Sequence, residues 1–421
     1  MSLLQRLLRR RPSGTPSGAH LALDIGTEYA KALVFEYEEG GRATVTGAGR
    51  QRQGLAHMQS GTVADIPAVV RNCRAALDEA EEMSGRRAEK VVIGIAGELV
   101  KGFTTTRTIE RRRPGSAVTH SELERLLEEI ESDASAEAQR TITWETGLPN
   151  VDVRLVHAGV ASAGIDGYAV SNPVGFQGRH LRISVFIAYA PLVHLGALES
   201  VVEQLGLELI KVVAEPYAVA RSIAGEQLGQ SGALFIDVGG GTTDVALVRS
   251  GSVEGTRMFA LGGRAFSKSL ADRLDVSFDE AERVKIEHAV GGELEDADEV
   301  AEIIGEDIAV WAAGVELVLE EFGHEGLLPG RIELCGGGAA LPEIRAALEA
   351  DGFASGLPFA RRPQISMMEP DAVSEINDDT GLLVDQQDVT PMALAYQAVE
   401  AAAPQEPLDA ALARVLKGMR V

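Results

Sequence analysis

Two stretches far apart in this chain share one grammar, and that repetition limits the fold more than any other feature. Leu234-Phe-Ile-Asp-Val-Gly-Gly-Gly-Thr-Thr-Asp-Val-Ala-Leu-Val248 reads as a buried strand closed by Asp237, a glycine turn, and a second strand. His20-Leu-Ala-Leu-Asp-Ile-Gly-Thr-Glu-Tyr-Ala-Lys-Ala-Leu-Val-Phe35 repeats it with Asp24, Gly26 and Thr27. A further turn follows at a similar distance in each copy, at Gly40 and Gly251, and then a third strand pattern, Ala43–Thr46 and Thr256–Ala260. One copy alone is a glycine-rich hairpin. Two copies predict two related domains facing one cleft. Gly239, Gly240 and Gly241 carry no Cβ, so backbone N–H groups there can approach a ligand closely. Thr242, Thr243 and Asp244 add the hydroxyls and carboxylate that suit phosphate oxygens and metal-bound water.

The 421 residues exceed what one compact core holds, which predicts two to four subdomains. A net charge of −24 argues against a general nucleic-acid binder. Cys73 and Cys335 each lie in an apolar pattern and read as buried thiols of a reducing compartment. No apolar run reaches the ~18 residues of a membrane span, and no signal peptide is evident. The amino terminus departs from the acidic trend. Leu3, Leu4, Leu7 and Leu8 share a helical face, with Arg6, Arg9 and Arg10 largely opposite, and Pro12–Gly18 follows as a tether. Such a helix suits an anionic membrane surface or a partner's groove; the alternatives are a loose tail or packing on its own domain.

Along the chain, Ile66–Gly85 is a helix and Val91–Gly97 a fourth strand ending in glycines. Lys101–Gly115 is a basic, hairpin-like run with Arg107, Arg111, Arg112 and Arg113, and His120–Ala138 is a charged helix started by Thr119 and Ser121. Strand patterns Asp152–Ala158 and Leu181–Tyr189 bracket Ser171-Asn-Pro-Val-Gly-Phe-Gln-Gly178. These elements lie outside the repeated unit and read as an inserted strand–helix–strand–strand subdomain. Helix Leu192–Leu205 and strand Glu208–Val213 lead to Glu215-Pro216, an acid at a strand end with proline opening the next helix. Glu215 then projects where α/β clefts form, or else merely serves the helix dipole. After Leu261-Gly-Gly263, the helix Phe278–Glu287 sets Glu282 and Lys285 on one face, as a surface ion pair or a ribose contact. A third glycine cluster, Gly336, Gly337 and Gly338, ends the strand begun at Arg331 and offers flat backbone to a purine.

Asp24-Ile-Gly-Thr27, Asp237-Val-Gly-Gly-Gly-Thr-Thr-Asp244 and Gly336-Gly-Gly-Ala339 resemble the two phosphate motifs and the adenosine motif of the actin-like ATPase superfamily, in that order. Within it, the insert from Val91, the segment Ser171–Gly178 and Ala281-Glu-Arg-Val-Lys285 after Leu261-Gly-Gly263 resemble the FtsA cell-division proteins, over about residues 20–400. The resemblance implies an α/β fold of two actin-like (ribonuclease H-like) domains around a nucleotide cleft. Its bounds are a tail and linker over 1–19, a first domain over 20–90 and 191–230, the insert over 91–190, a second domain over 231–400 (helical near 265–328), and a tail over 401–421 with a second amphipathic helix from Pro407.

By the same resemblance, Asp24 and Asp237 hold Mg²⁺ through water, and Gly26, Thr27 and Gly239–Thr243 cradle the phosphates of ATP. Lys31 faces phosphate, Glu215 orients the attacking water, Glu282 and Lys285 face ribose, and Gly337 and Gly338, beside the cofactor-binding Gly336, face adenine. The implied activity is slow ATP turnover. The implied partners are FtsZ filaments, other copies of the chain, and the cytoplasmic face of an anionic membrane met by either terminal helix. A basic helix ahead of the first phosphate strand also resembles PilM of type IV pilus machines, which binds a partner's peptide tail. A small-molecule kinase would use the same cleft with a polar substrate pocket. A chaperone ATPase is not expected, because the short stretch after Glu400 holds no substrate-binding domain.

Overall fold

The computed structural model describes residues 18–38, 41–148, 151–223, 231–324, 326–403 and 407–419. The basic helix read over residues 1–12 lies outside them. The chain opens with β1 (Ala19–Ile25), β2 (Tyr29–Tyr37) and β3 (Ala43–Arg52), a small hairpin of β4 (Met58–Gln59) and β5 (Thr62–Val63), helix α1 (Ile66–Ser84) and β6 (Ala88–Ile95). It continues into β7 (Lys101–Glu110), α2 (His120–Thr146), β8 (Val153–Ile165), β9 (Tyr168–Ala169) and β10 (His180–Pro191). Helix α3 (Leu192–Leu205), β11 (Glu208–Ala214) and α4 (Glu215–Ile223) return to the first sheet.

The second half begins with β12 (Ala233–Val238), β13 (Thr243–Arg249) and β14 (Ser252–Phe259). Helices α5 (Gly263–Leu274), α6 (Phe278–Ala289) and α7 (Ala297–Gly323) follow, then β15 (Arg331–Cys335), α8 (Pro342–Glu349) and β16 (Gln364–Met367). Last come β17 (Ile376–Asp378), α9 (Val389–Ala402) and α10 (Pro407–Met419).

The repeat seen in the sequence is a repeat of topology. One sheet runs β11-β6-β1-β2-β3-β17; the other begins β16-β15-β12-β13-β14. In both, three antiparallel strands joined by hairpins are extended by two parallel ones from crossovers. Both central strands, β1 and β12, are buried because helices cover both faces, and this is why their sequences read as unbroken apolar runs ending on an acid. Both acids therefore emerge at the carboxyl ends of their strands, the side on which α/β ligands bind.

Three expectations are corrected. The basic run from Lys101 is not a hairpin: β7 is a single strand between β14 and β10, so the insert extends the second sheet through Gly255↔Phe103 and Thr256↔Gly102. Nor does the second domain run to residue 400. Ile376–Asp378 pairs with Ala43–Val45 in the first sheet, and α9 packs on β1, β2 and α4, so the chain re-enters the first domain. Finally, the apolar face of α10 is not free to meet a bilayer. Leu408, Ala411, Leu412 and Val415 are buried with Leu123, Leu127 and Ile130 of α2 in the core of the insert, and Arg414 Nε holds Glu124 Oε1 at 3.0 Å. Burial of apolar area decides this: the insert sheet offers α10 a protein surface that the sequence could not show. Among the described residues, no helix is long and apolar enough to cross a membrane.

Candidate functional site

The two hairpins, the start of α4, helix α6 and the Gly336 turn surround one cavity of about 680 Å³, within the range of nucleotide-sized sites. Asp24, Gly26, Thr27, Lys31, Glu215, Asp237, Gly239, Gly240, Gly241, Thr242, Glu282, Lys285, Gly336, Gly337 and Gly338 all line it. Thr243 does not. A strand alternates faces, so Thr243 points away from the cleft, where its hydroxyl donates to Leu261 O at 2.7 Å and accepts from Trp311 Nε1 at 2.9 Å. It is a core residue of the second domain.

Glycine is required where the halves meet. A Cβ on Gly241 would lie 2.5 Å from Thr27 Oγ1, so the two turns abut as backbone against side chain. Gly336 has φ +85°, and a Cβ there would lie 2.1 Å from Asp237 Oδ1. The adenosine-type turn thus sits directly against the second acid. Its N–H donates to Gln386 O at 3.0 Å, and a 3₁₀ turn, Gly337–Ala340, carries the chain to α8.

The floor of the cavity is acidic. Asp24, Asp244 and Glu215 are buried and Asp237 half-buried, and Lys31 stands among them, 3.8 Å from Asp24 Oδ2. Burial pushes Asp24 up to about 6; Lys31 opposes the shift, and the charges of Asp237 and Asp388 add to it. Glu215 and Asp244 rise well above the ordinary carboxylate range, first through burial and then through the neighbouring acids. Asp237 is raised by burial too, against the pull of Thr390 Oγ1, which donates to its Oδ2 at 2.5 Å, and of Lys31. Buried acids that repel each other this way are what a cation would relieve. Asp244 Oδ1 is buried with no hydrogen-bond partner among the described residues. Among those residues no three His, Cys, Asp or Glu side chains are grouped to ligate a metal directly.

The Glu282–Lys285 pair lines the cavity but is also a structural tie. Lys285 Nζ reaches Glu282 Oε2 (2.8 Å), Ser267 Oγ (2.8 Å) and Gly263 O (2.9 Å), which commits its three donors and fastens α6 to α5. Ile286, Val290, Leu341 and Met367 add apolar wall beside it. The segment before α9 belongs to the site although no sequence motif marks it. Lys31 Nζ donates to Gln387 O, and Thr390 holds Asp237, so this returning segment joins both phosphate-type hairpins. The Asp-Gln-Gln-Asp sequence at 385–388 carries no motif that would have revealed this.

A model of the family described as "Cell division protein FtsA" matches residues 234–378. The FtsA of Pseudomonas aeruginosa is 27% identical over 339 residues, covering 75% of this chain and 77% of the relative. That of Bacillus subtilis is 26% identical over 372 residues, covering 83% and 80%. The chain is therefore similar to the FtsA cell-division proteins over most of its length. Among solved structures, a "PilM-PilN type IV pilus biogenesis complex" superposes with a TM-score of 0.65 at 17% identity, over 92% of this chain and 100% of that one. That similarity shows the shared fold.

Proposed function

We propose that this FtsA-like chain binds ATP with Mg²⁺ between its domains, turns it over slowly, and uses the bound nucleotide chiefly to set its conformation. The observation that supports this best is the convergence of Asp24 and Asp237, each at the tip of a glycine hairpin, on one buried acidic cavity with Lys31 between them. The residues fit a nucleotide with its metal: Asp244 Oδ1 lacks a hydrogen-bond partner among the described residues, and the Gly241 turn leaves no room for a side chain against Thr27.

Asp24 and Asp237 would hold the cation through water, in keeping with the lack of a direct ligand cluster among the described residues. When bound, the metal supplies neutralisation of charge on the phosphate oxygens. Backbone N–H groups of Gly26, Thr27 and Gly240–Thr242 cradle phosphate, the Gly239 N–H being spent on Thr242 O at 2.9 Å within the turn, and Lys31 adds positive charge. Glu215 holds the attacking water. Lys285 keeps Glu282 aimed at the ribose, and Gly336–Gly338 with Ile286 and Val290 form the base slot.

In the cell we place this chain at the cytoplasmic face of the membrane, tethering FtsZ filaments and associating with its own copies. The attachment falls to the basic leucine- and arginine-rich stretch at residues 1–11, which lies outside the described residues, since α10 is engaged with the insert. A second reading, a PilM-like adaptor of a pilus machine, draws support from the superposition with the PilM–PilN complex. Copurification from the source cell separates the two. Recovery of FtsZ supports the division role; recovery of pilus-assembly proteins without FtsZ replaces it. Replacing Asp237 with Ala should abolish Mg-ATP binding in calorimetry while the fold survives, and unchanged affinity would remove the cleft model.

A further inference from the structure

Directly after the first glycine turn, Glu28 sits at the boundary between the two domains. Its Oε2 accepts from Arg264 Nε at 2.6 Å, and its Oε1 from Arg52 Nε at 2.6 Å. Glu28 belongs to the first hairpin; Arg264 is the second residue of α5, in the other domain. Arg264 is held from both sides. Its backbone N donates to Gly240 O at 2.8 Å, which ties it to the second hairpin. Its guanidinium also donates to Gln53 O at 3.0 Å and Leu55 O at 3.5 Å, both in the first domain. The Arg264 and Glu28 side chains are only 12% and 13% exposed, unlike the outer Arg52–Asp279 bridge, whose acid is 82% exposed. Both Glu28 and Arg264 line the cavity, and Gly240 lies against Glu28 there.

We propose that the Glu28–Arg264 pair is an interdomain latch: it clamps the two glycine turns against each other and thereby sets how fast a bound nucleotide leaves. This rests on the nucleotide reading above. The turns cannot separate without breaking this pair and the bonds from Arg264 to Gln53 and Leu55. The pair is nearly out of water, so salt screens it weakly and loss of one partner leaves a charge stranded. Arg264 uses separate edges of its planar fork for the carboxylate and the carbonyls, a geometry lysine cannot reproduce.

The test is the release rate of a fluorescent N-methylanthraniloyl-ATP with Mg²⁺, chased by unlabelled ATP, from the full chain and from E28Q, R264Q, R264K and the E28Q/R264Q double variant. Losing a partner of a desolvated, hydrogen-bonded pair acts on the off-rate, so each single variant should release the probe about tenfold faster or more. The double variant should be no faster than the faster single, since the coupling is lost only once. D279N, at the exposed bridge, should change the rate by less than about fivefold. Unchanged rates in the single variants, or independent multiplication in the double, would overturn the latch. A readout without nucleotide guards against confusion with the parent reading. In the nucleotide-free protein, amides of Thr27, Glu28 and Gly240–Thr242 should exchange hydrogen faster in E28Q than in wild type. If wild type fails to bind the probe, the nucleotide reading fails, and this exchange comparison alone then decides the latch; equal exchange overturns it.

Discussion

Replacing Asp24 with asparagine should stabilise the nucleotide-free protein, although it damages the site. Asp24 is 6% exposed, and its carboxyl sits at about 6 instead of 3.8, chiefly through burial. The sign follows from linkage. A carboxyl whose folded pKa is raised keeps its proton in the fold while the unfolded chain has already lost it. The contribution is therefore whole below about pH 3.8, falls as pH rises, and is fully lost above about 6. At pH 7 the ionised aspartate costs the fold about 3 kcal/mol relative to a group that never ionises. At pH 5 about half of that cost remains.

The asparagine side chain keeps the shape of the aspartate and carries no charge, and Lys31 still donates to Gln387 O. Urea unfolding without nucleotide should thus show a gain of up to about 3 kcal/mol for D24N at pH 7.5, and about half that at pH 5. With saturating Mg-ATP the order should reverse, because only the wild type gains binding energy. A variant no more stable than wild type at pH 7.5, or equally favoured at both pH values, would refute the account of a strained acidic floor.

Other expectations are separable from that one. Gly241→Ala would bring a methyl group to 2.5 Å from Thr27 Oγ1, pry the turns apart and weaken Mg-ATP affinity by about tenfold or more in calorimetry, with the far-UV spectrum unchanged. Thr243→Val strands the indole N–H of Trp311 and should cost about 1–3 kcal/mol in urea unfolding, while the folded fraction binds ATP as before; a large loss of affinity would return Thr243 to the site. Removing residues 407–421 uncovers apolar surface on the insert, so dye binding should rise and unfolding should begin earlier, whereas liposome sedimentation should persist. Deleting residues 1–12 should instead reduce sedimentation, most with anionic lipid.

Much of the scaffold was legible because its signals are local. A strand buried on both faces spells a continuous apolar run, and an acid followed by glycine marks where it meets the cleft; β1 and β12 both announce themselves so. Helix α1 was readable from its apolar stripe, Val69, Cys73, Ala76, Leu77 and Ala80, all of them buried. The errors come from partners distant in sequence. β17 is only Ile376–Asp378, too short for a pattern, and its place beside β3 follows from pairing. Helix α9 is buried almost all round, so no stripe shows which domain it serves. The apolar stripe of α10 was plain, but a stripe does not say whether lipid or protein covers it. Thr243 was misplaced for a simpler reason: strand alternation puts Thr242 and Asp244 on the cleft side and Thr243 behind them.

The most direct test of the shared cleft is photolabelling with 8-azido-ATP and Mg²⁺, followed by peptide mapping. The account predicts label on Phe278–Val290 and Gly336–Leu341, suppressed by excess ATP and absent from the Asp237→Ala variant. Label confined to the insert, or scattered labelling that ATP does not displace, would contradict it.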